Sequence, residues 1–247
     1  MADSTVTALA GQLLSAPDGT LTTAKWLLLG GVLSLAPALA VMTTSFVRIS
    51  VVLGIVRHGF GGGQFLPSQA VTALSLFLTI AVMSPVWKTA YEAGVEPYSQ
   101  RQFTTREEQQ QAVVDAATKS LAPLRKFMGM QIEAAGNTAA VDLLLAYQSQ
   151  TMGLQATPQY YEDLPISVLL PAYVLSELKV AFAIGFQLLL PFVVIDIVVA
   201  SVINSLGLTA LSASWASFPL KLLLFVLIDG WFLTVETLLN SIRPFTG

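Results

Sequence analysis

The sequence predicts an all-α fold of membrane-derived helical hairpins that carry a helical, water-exposed insert. Three observations predict it. The 247-residue chain is 54% hydrophobic and only 11% charged, against about 25% charged in soluble domains, so most of its surface must be kept out of water. Its mean hydropathy of +0.70 says the same. The apolar residues also fall into four blocks, and a single polar stretch, residues 88–163 with six basic and nine acidic side chains, separates the first two from the last two.

Composition narrows function as well. A net charge of −3 offers no basic patch for nucleic acid. Cysteine is absent, which removes disulfides, thiolate metal sites and cysteine nucleophiles together. With His58 as the one histidine, neither a metal centre nor a cofactor is expected.

Along the chain, residues 1–24 form a polar N-terminal segment with Asp3 and Asp18 and no basic residue, the wrong start for a signal peptide. Residues 25–87 read as a first helical hairpin. Its blocks run from Trp26 to Val56, interrupted only by Arg48, and from Gln69 to Trp87. Residues 88–163 are the insert. Residues 164–247 read as a second hairpin, with blocks from Leu164 to Ile203 and from Phe218 to Leu239 and a loop at 204–215 between them. A span needs about 20 apolar residues; blocks one, two and four have suitable lengths. Block three as one helix would be about 60 Å long, and it contains Pro165, Pro171 and Pro191. It is either one long helix kinked at Pro191 or two half-length segments meeting there.

Arg57 and His58 follow block one, with Arg48 a turn or two above, which places that connection in the cytoplasm and the insert and both termini in the periplasm. Within the insert, Thr105 to Glu108 has capping-box spacing. Val114, Ala117, Leu121, Leu124 and Met128 then form an amphipathic stripe. Pro123 is expected to split that stripe into two helices, and Gly136-Asn137 marks a break before a second patch, Val141 to Tyr147.

Seven charges lie inside the apolar blocks: Arg48, Glu177, Lys179, Asp196, Lys221, Asp229 and Glu236. Each costs about 2.5–3.5 kcal/mol at a bilayer centre. Glu177 and Lys179 face different sides of a helix, and Lys221 and Asp229 are separated by about 12 Å of helical rise. Asp229 and Glu236, seven apart, share a helix face. Partners must therefore come from other helices or other subunits. Three roles stay open: an ion relay, pairing within the chain, and pairing between subunits. The last is favoured because the chain has too few helices to shield every charge. No catalytic motif stands beside them. Gly61-Gly62-Gly63 lacks the Gly-Lys-Ser/Thr of a phosphate loop, and there is no Gly-x-Ser-x-Gly elbow. Met128 and Met130 fit packing, and His58 fits an interfacial position. An enzyme is not expected.

Several stretches resemble a known family. Met42 to Arg57 (MTTSFVRISVVLGIVR), Leu76 to Pro85 (LFLTIAVMSP), Ser176 to Phe186 (SELKVAFAIGF), Pro191 to Ser201 (PFVVIDIVVAS) and Phe218 to Trp231 (FPLKLLLFVLIDGW) are similar to signatures of the flagellar export family FliP and its injectisome relative SctR, and Leu121 to Met128 matches a pattern in that family's insert. The resemblance runs over residues 33–240. Lys179 and Val199-Ala-Ser201 look more like the flagellar branch than the injectisome branch.

The resemblance implies about five copies assembling with FliQ-like and FliR-like subunits into a helical, closed pore for unfolded exported proteins. That pore serves FlhB-like and FlhA-like export proteins, at the inner membrane of the flagellar basal body and largely on its periplasmic side. It implies that Arg48, Glu177, Lys179, Asp196, Lys221 and Asp229 are subunit-interface charges, with a salt bridge between Glu177 and Lys221 of neighbouring copies. The family's methionine-rich sealing loop corresponds here to Leu206, Gly207, Leu208, Thr209, Ala210 and Leu211, apolar but free of methionine. Two alternatives of other classes stand beside this reading: an ion-coupled secondary transporter using Glu177 and Asp196, and a purely structural scaffold.

Overall fold

A computed structural model describes residues 30–31, 34, 37–61, 66–152, 161–208 and 212–246. The N-terminal segment 1–24, Gly62-Gly63 and Thr209-Ala210-Leu211 lie outside the described residues. The chain divides into two units, Met1–Val41 and Met42–Gly247; in the first, residues 37–41 are helical and exposed. The rest of the description concerns the second unit.

Every regular element among the described residues is helical. Helix α1 is Phe46–Gly59. Helix α2, Ser68–Ala90, continues through a π turn, Tyr91–Val95, and a last turn, Glu96–Ser99. Helices α3 (Arg106–Ala134) and α4 (Thr138–Met152) form the insert. After a short 3-10 turn, Tyr161–Asp163, come α5 (Ile166–Ser205), α6 (Ala213–Leu227) and α7 (Gly230–Asn240). Among the described residues, two stretches are long and apolar enough to cross a membrane, Ser68–Ser99 and Ile166–Ser205. A third exists if α6 and α7, bent by 63° against each other, are one broken span.

Block one is not the single helix its length suggested. Residues 43–45 leave the helical conformation, and α1 has 14 residues, about 21 Å of rise, short of the ~30 Å hydrocarbon core. The cause is local. Thr43, Thr44 and Ser45 are three consecutive hydroxyl residues, which compete with the helix for backbone hydrogen bonds, and the Phe46 N–H donates to Thr44 Oγ1 at 3.4 Å.

Block three resolves in favour of one helix. Helix α5 runs 40 residues without interruption through both Pro171 and Pro191, so the reading of two segments meeting at Pro191 is overturned. Apolar helices tolerate interior prolines where neighbours compensate the lost bond, and Phe192, next to Pro191, is locked between Phe60 and Phe225 with ring centroids 4.8 and 6.1 Å away. The helix ends in a Schellman motif: Gly207 at φ +72° donates to Asn204 O, and Leu208 donates to Ile203 O. The same motif closes α3, where Gly136 at φ +63° donates to Glu133 O and Asn137 to Ile132 O.

Block four breaks where a continuous span was expected. Asp229 adopts a left-handed conformation, φ 49° and ψ 53°, which aspartate tolerates better than most residues. Gly230 follows so close to Phe225 that a Cβ there would overlap the ring. Because the helix turns at this point, Asp229 and Glu236 do not share a face of one straight helix.

In the insert, α3 passes through Pro123 as one helix, not two. The ring is buried on the face that also buries Phe127. The predicted stripe is buried only in its lower part: Met128 is in the core, while Val114 and Leu121 are exposed. The start of α3 is where the capping signature placed it, although Thr105 makes no side-chain cap. Glu108 instead accepts from the Thr104 N–H at 3.3 Å.

Helices α1 and α5 lie side by side and parallel, since Arg48 meets Glu177, Ile55 meets Gly185, and Gly59 meets Phe192. Helix α2 turns Ser75, Thr79, Met83, Val86 and Ala90 inward. The two hydroxyls are satisfied on their own helix, by Val71 O and Ser75 O. The main core joins α1, α2, α3 and the first half of α5 through residues such as Leu53, Met83, Phe127, Ile132, Leu169 and Tyr173. A smaller aromatic cluster, Phe60, Phe192 and Phe225, holds the far end. At the π turn, a Cβ on Gly94 would come within bonding range of Ala116 O and Ser120 N, both backbone atoms of α3. Gly94→Ala is therefore expected to destabilise the chain by about 1–3 kcal/mol. Gly54→Ala, with nothing within 4 Å, is expected to be neutral or to stabilise by up to about 1 kcal/mol. Thermal unfolding of the detergent-extracted variants checks both.

Candidate functional site: two buried cation nodes

An arginine inside an apolar helix stays protonated and must find acceptors. Arg48 is in the first turn of α1 and is 1% exposed. Its Nε donates to Glu177 Oε2 at 2.9 Å and its Nη2 to Glu177 Oε1 at 2.5 Å, the two-pronged geometry that only a guanidinium offers a carboxylate. Its Nη1 donates to Ser241 O and to Ser241 Oγ. Ser241 is the C-cap of α7, so the same cation also satisfies carbonyl charge at a helix C-terminus. Glu177 is 0% exposed. The hydroxyls of Ser45 and Tyr173, one turn from Arg48 and Glu177, are buried without hydrogen-bond partners.

The second node repeats the plan. Lys221 of α6 is buried, and its Nζ donates to Asp196 Oδ2 at 2.6 Å and to Gly59 O at 2.8 Å. Gly59 is the last residue of α1, so here too a buried cation joins an α5 carboxylate to a helix C-terminus. Ser217 Oγ donates to the other carboxylate oxygen, Asp196 Oδ1. The nodes sit 19 residues apart on α5, about 28 Å of helical rise. Asp196 keeps an exposed edge, at 40%.

The other predicted charges take different places. Lys179 is exposed, and its Nζ donates to Asn137 Oδ1 at 2.7 Å. Asn137 Nδ2 in turn donates to Ser176 Oγ at 2.8 Å, which ties the break between α3 and α4 to α5. Asp229 and Glu236 are exposed. Leu206 and Leu208, at the end of α5, are exposed at 67% and 51%. Among the described residues no group of three or more His, Cys, Asp or Glu side chains is placed to hold a metal.

Sequence reasoning expected Glu177 and Lys221 to face each other between neighbouring copies. Within one chain, each already has a closer partner on another helix: Arg48 for Glu177 and Asp196 for Lys221. The rule that excluded neighbours along one helix was sound, but it left too little weight on partners far away in the same chain. Ser241, Ser217 and Gly59 O were missed because backbone and hydroxyl acceptors leave no charge signal in a sequence. Asn137 was visible only as a helix break.

Removing one member of a buried pair strands the other, at a cost of about 3–5 kcal/mol, whereas apolar replacement of both is often nearly neutral. Arg48→Leu and Glu177→Leu are each expected to lower stability by that amount, and the double variant by much less than their sum. Denaturant unfolding of the three variants in detergent measures the difference; additive losses would mean that the two side chains do not act as a pair.

With this geometry in place, the comparisons with known proteins are direct. The FliP family model matches residues 29–238. The chain is 40% identical over 216 residues to the flagellar biosynthetic protein FliP of Caulobacter vibrioides, covering 87% of this chain and 75% of that one. It is 37% identical over 227 residues to the protein of that name from Bacillus subtilis, covering 92% and 95% of the two chains. It is also 37% identical over 215 residues to that of Borreliella burgdorferi, covering 87% and 79%. Both buried nodes except Ser241 lie within the matched region, and the chain belongs to the FliP family.

Proposed function

We propose that this chain is a pore-forming subunit of the flagellar type III export gate, through which unfolded flagellar proteins leave the cytoplasm. Its relatives are named flagellar biosynthetic proteins, and one structural observation carries the rest. Helix α5 exposes Leu175, Phe182, Phe186, Leu190, Val194 and Ile197 along one side, and Val198, Val202 and Leu206 further round it toward its end. The exposed apolar surface from Leu175 to Leu206 rises about 46 Å, half as long again as the ~30 Å bilayer core. Lipid cannot cover all of that surface, so other protein must.

About five copies, with FliQ-like and FliR-like subunits, supply that cover in this reading, and FlhB-like and FlhA-like proteins deliver substrates to the pore. The α1–α2 connection faces the cytoplasm, and the insert and most of the assembly stand on the periplasmic side of the inner membrane. Lys179 and Asp229, the exposed charges of the predicted interface set, are the ones left to meet neighbouring copies, because Arg48, Glu177, Asp196 and Lys221 are committed within the chain. That commitment also weighs against an ion-coupled transporter: Glu177 is fully buried against Arg48, and Asp196 is matched to Lys221. No step of this function requires catalysis or a cofactor.

In the closed gate, residues Leu206 to Leu211 form the constriction, where apolar side chains exclude ions by excluding water. The Schellman turn at Gly207 ends α5 and presents Leu206 and Leu208 outward. Leu208→Asp, assembled with its partner subunits, is expected to raise ion leakage across the inner membrane and to slow growth. Conductance and growth equal to those of the unaltered gate would reject this placement of the loop.

A further inference from the structure

The last residues of the chain make contacts that neither the family signatures nor the pore reading uses. After α7 the backbone leaves the helix and runs along α3. Gln131 in the last turn of α3 is 2% exposed, and its side-chain amide holds one residue of this segment from both sides. Its Nε2 donates to Arg243 O at 2.8 Å, and its Oε1 accepts from the Arg243 N–H at 3.1 Å. Ile242 is buried, and Phe245 packs against the main core. Lys126 of α3 lies 5.6 Å from the centre of the Phe245 ring. Arg243 also reaches Glu133 at 3.8 Å, but both side chains are more than half exposed, so that pair adds little. Two residues before Arg243, Ser241 receives the Nη1 of Arg48.

The geometry points to Ser241–Phe245 as a conformational strap that couples the insert helix α3 to the buried Arg48–Glu177 pair. The two side chains that hold the strap, Gln131 and Arg48, are 2% and 1% exposed, while the Arg243 and Ser241 backbone they hold is less buried. If α3 moves away from the strap, Gln131 loses both of the hydrogen bonds that satisfy its buried amide. If the strap lifts, Arg48 loses its third acceptor as well. A single residue, Ile242, separates the grips, too short a length to stretch, so a displacement at Gln131 is transmitted to Ser241. The pair that registers α1 on α5 thus senses the position of the insert, and the strap is the element that yields first when the insert tilts.

The absence of cysteine makes the test clean, because Phe245→Cys is then the sole thiol of the full-length chain. Its rate of modification by a water-soluble maleimide, in the membrane-inserted protein, reports how often the strap lifts. Gln131→Leu removes both grips on Arg243 at similar volume and is expected to raise that rate about tenfold. Gln131→Glu keeps the acceptor for the Arg243 N–H but sets a second acceptor against the Arg243 carbonyl, so a rise is expected from it too. At the other end, Arg48→Lys retains a cation for Glu177 but lacks the fork that reaches Ser241, and it is expected to raise the same rate. The decisive result is the double variant. Coupled grips give a rise well short of the product of the two single effects. Rates that multiply would show two independent contacts, and rates within twofold of the parent in Gln131→Leu and Gln131→Glu would show that the segment is not held through α3; either result overturns the strap.

Discussion

A guanidinium buried among apolar helices fixes more of this structure than any other group. Arg48 cannot shed its proton, and burial removes the water that would otherwise solvate it, so α1 is placed wherever its acceptors are. Those acceptors are the Glu177 carboxylate and the carbonyl at the end of α7. A slide of α1 by one turn, about 5.4 Å, would strand both charges. Hydrophobic contacts between two smooth helices tolerate such a slide far better. At the other end, Lys221 performs the same service between Asp196 and the last carbonyl of α1. Neither pair need add net stability, since desolvation offsets much of the attraction. What they supply is register, and with it the placement of a 40-residue helix against three others.

Register matters because α5 has little else to hold its far half. The main core ends near Ile184, and beyond it the chief contacts are Gly185 against Ile55, the aromatic cluster around Phe192 and the Lys221 node. The remaining surface is apolar and open, from Leu175 to Val202 on α5 and across Leu223, Val226, Leu227 and Phe232 on α6 and α7. Such area far exceeds what a soluble monomer leaves uncovered. The division is consistent across the chain: charges are satisfied inside, and apolar faces are offered outward. A chain built this way is ready for lipid on part of its length and for protein on the rest.

Much of this was legible from residue types. The four apolar blocks, the polar insert, the Gly136-Asn137 break and the start of α3 near Thr105 all follow from composition and capping chemistry acting over a few residues. The resemblance to the FliP family rested on long, ordered stretches, and the family model and relatives agree with it. Block lengths misled where local chemistry outweighed hydropathy. Three successive hydroxyl residues interrupt block one before α1, and a left-handed Asp229 before a close-packed Gly230 breaks block four. Pro123 misled in the opposite direction, since it sits inside one continuous helix, while Pro191 took the continuous one of its two readings. The pairings Arg48–Glu177 and Asp196–Lys221 were beyond reach, because nothing in a single sequence says which of three cations meets which carboxylate across 129 or 25 positions.

We propose that the open apolar faces are covered in the assembly by further copies and by small hydrophobic subunits. Native mass spectrometry of the detergent-extracted chain, expressed alone and then with its genomic neighbours, tests that claim most directly. A ring near five copies that gains small subunits on co-expression is the predicted result. A stable monomer or dimer that takes up none of those neighbours would contradict the account and return the α5 carboxylates to a role in ion movement.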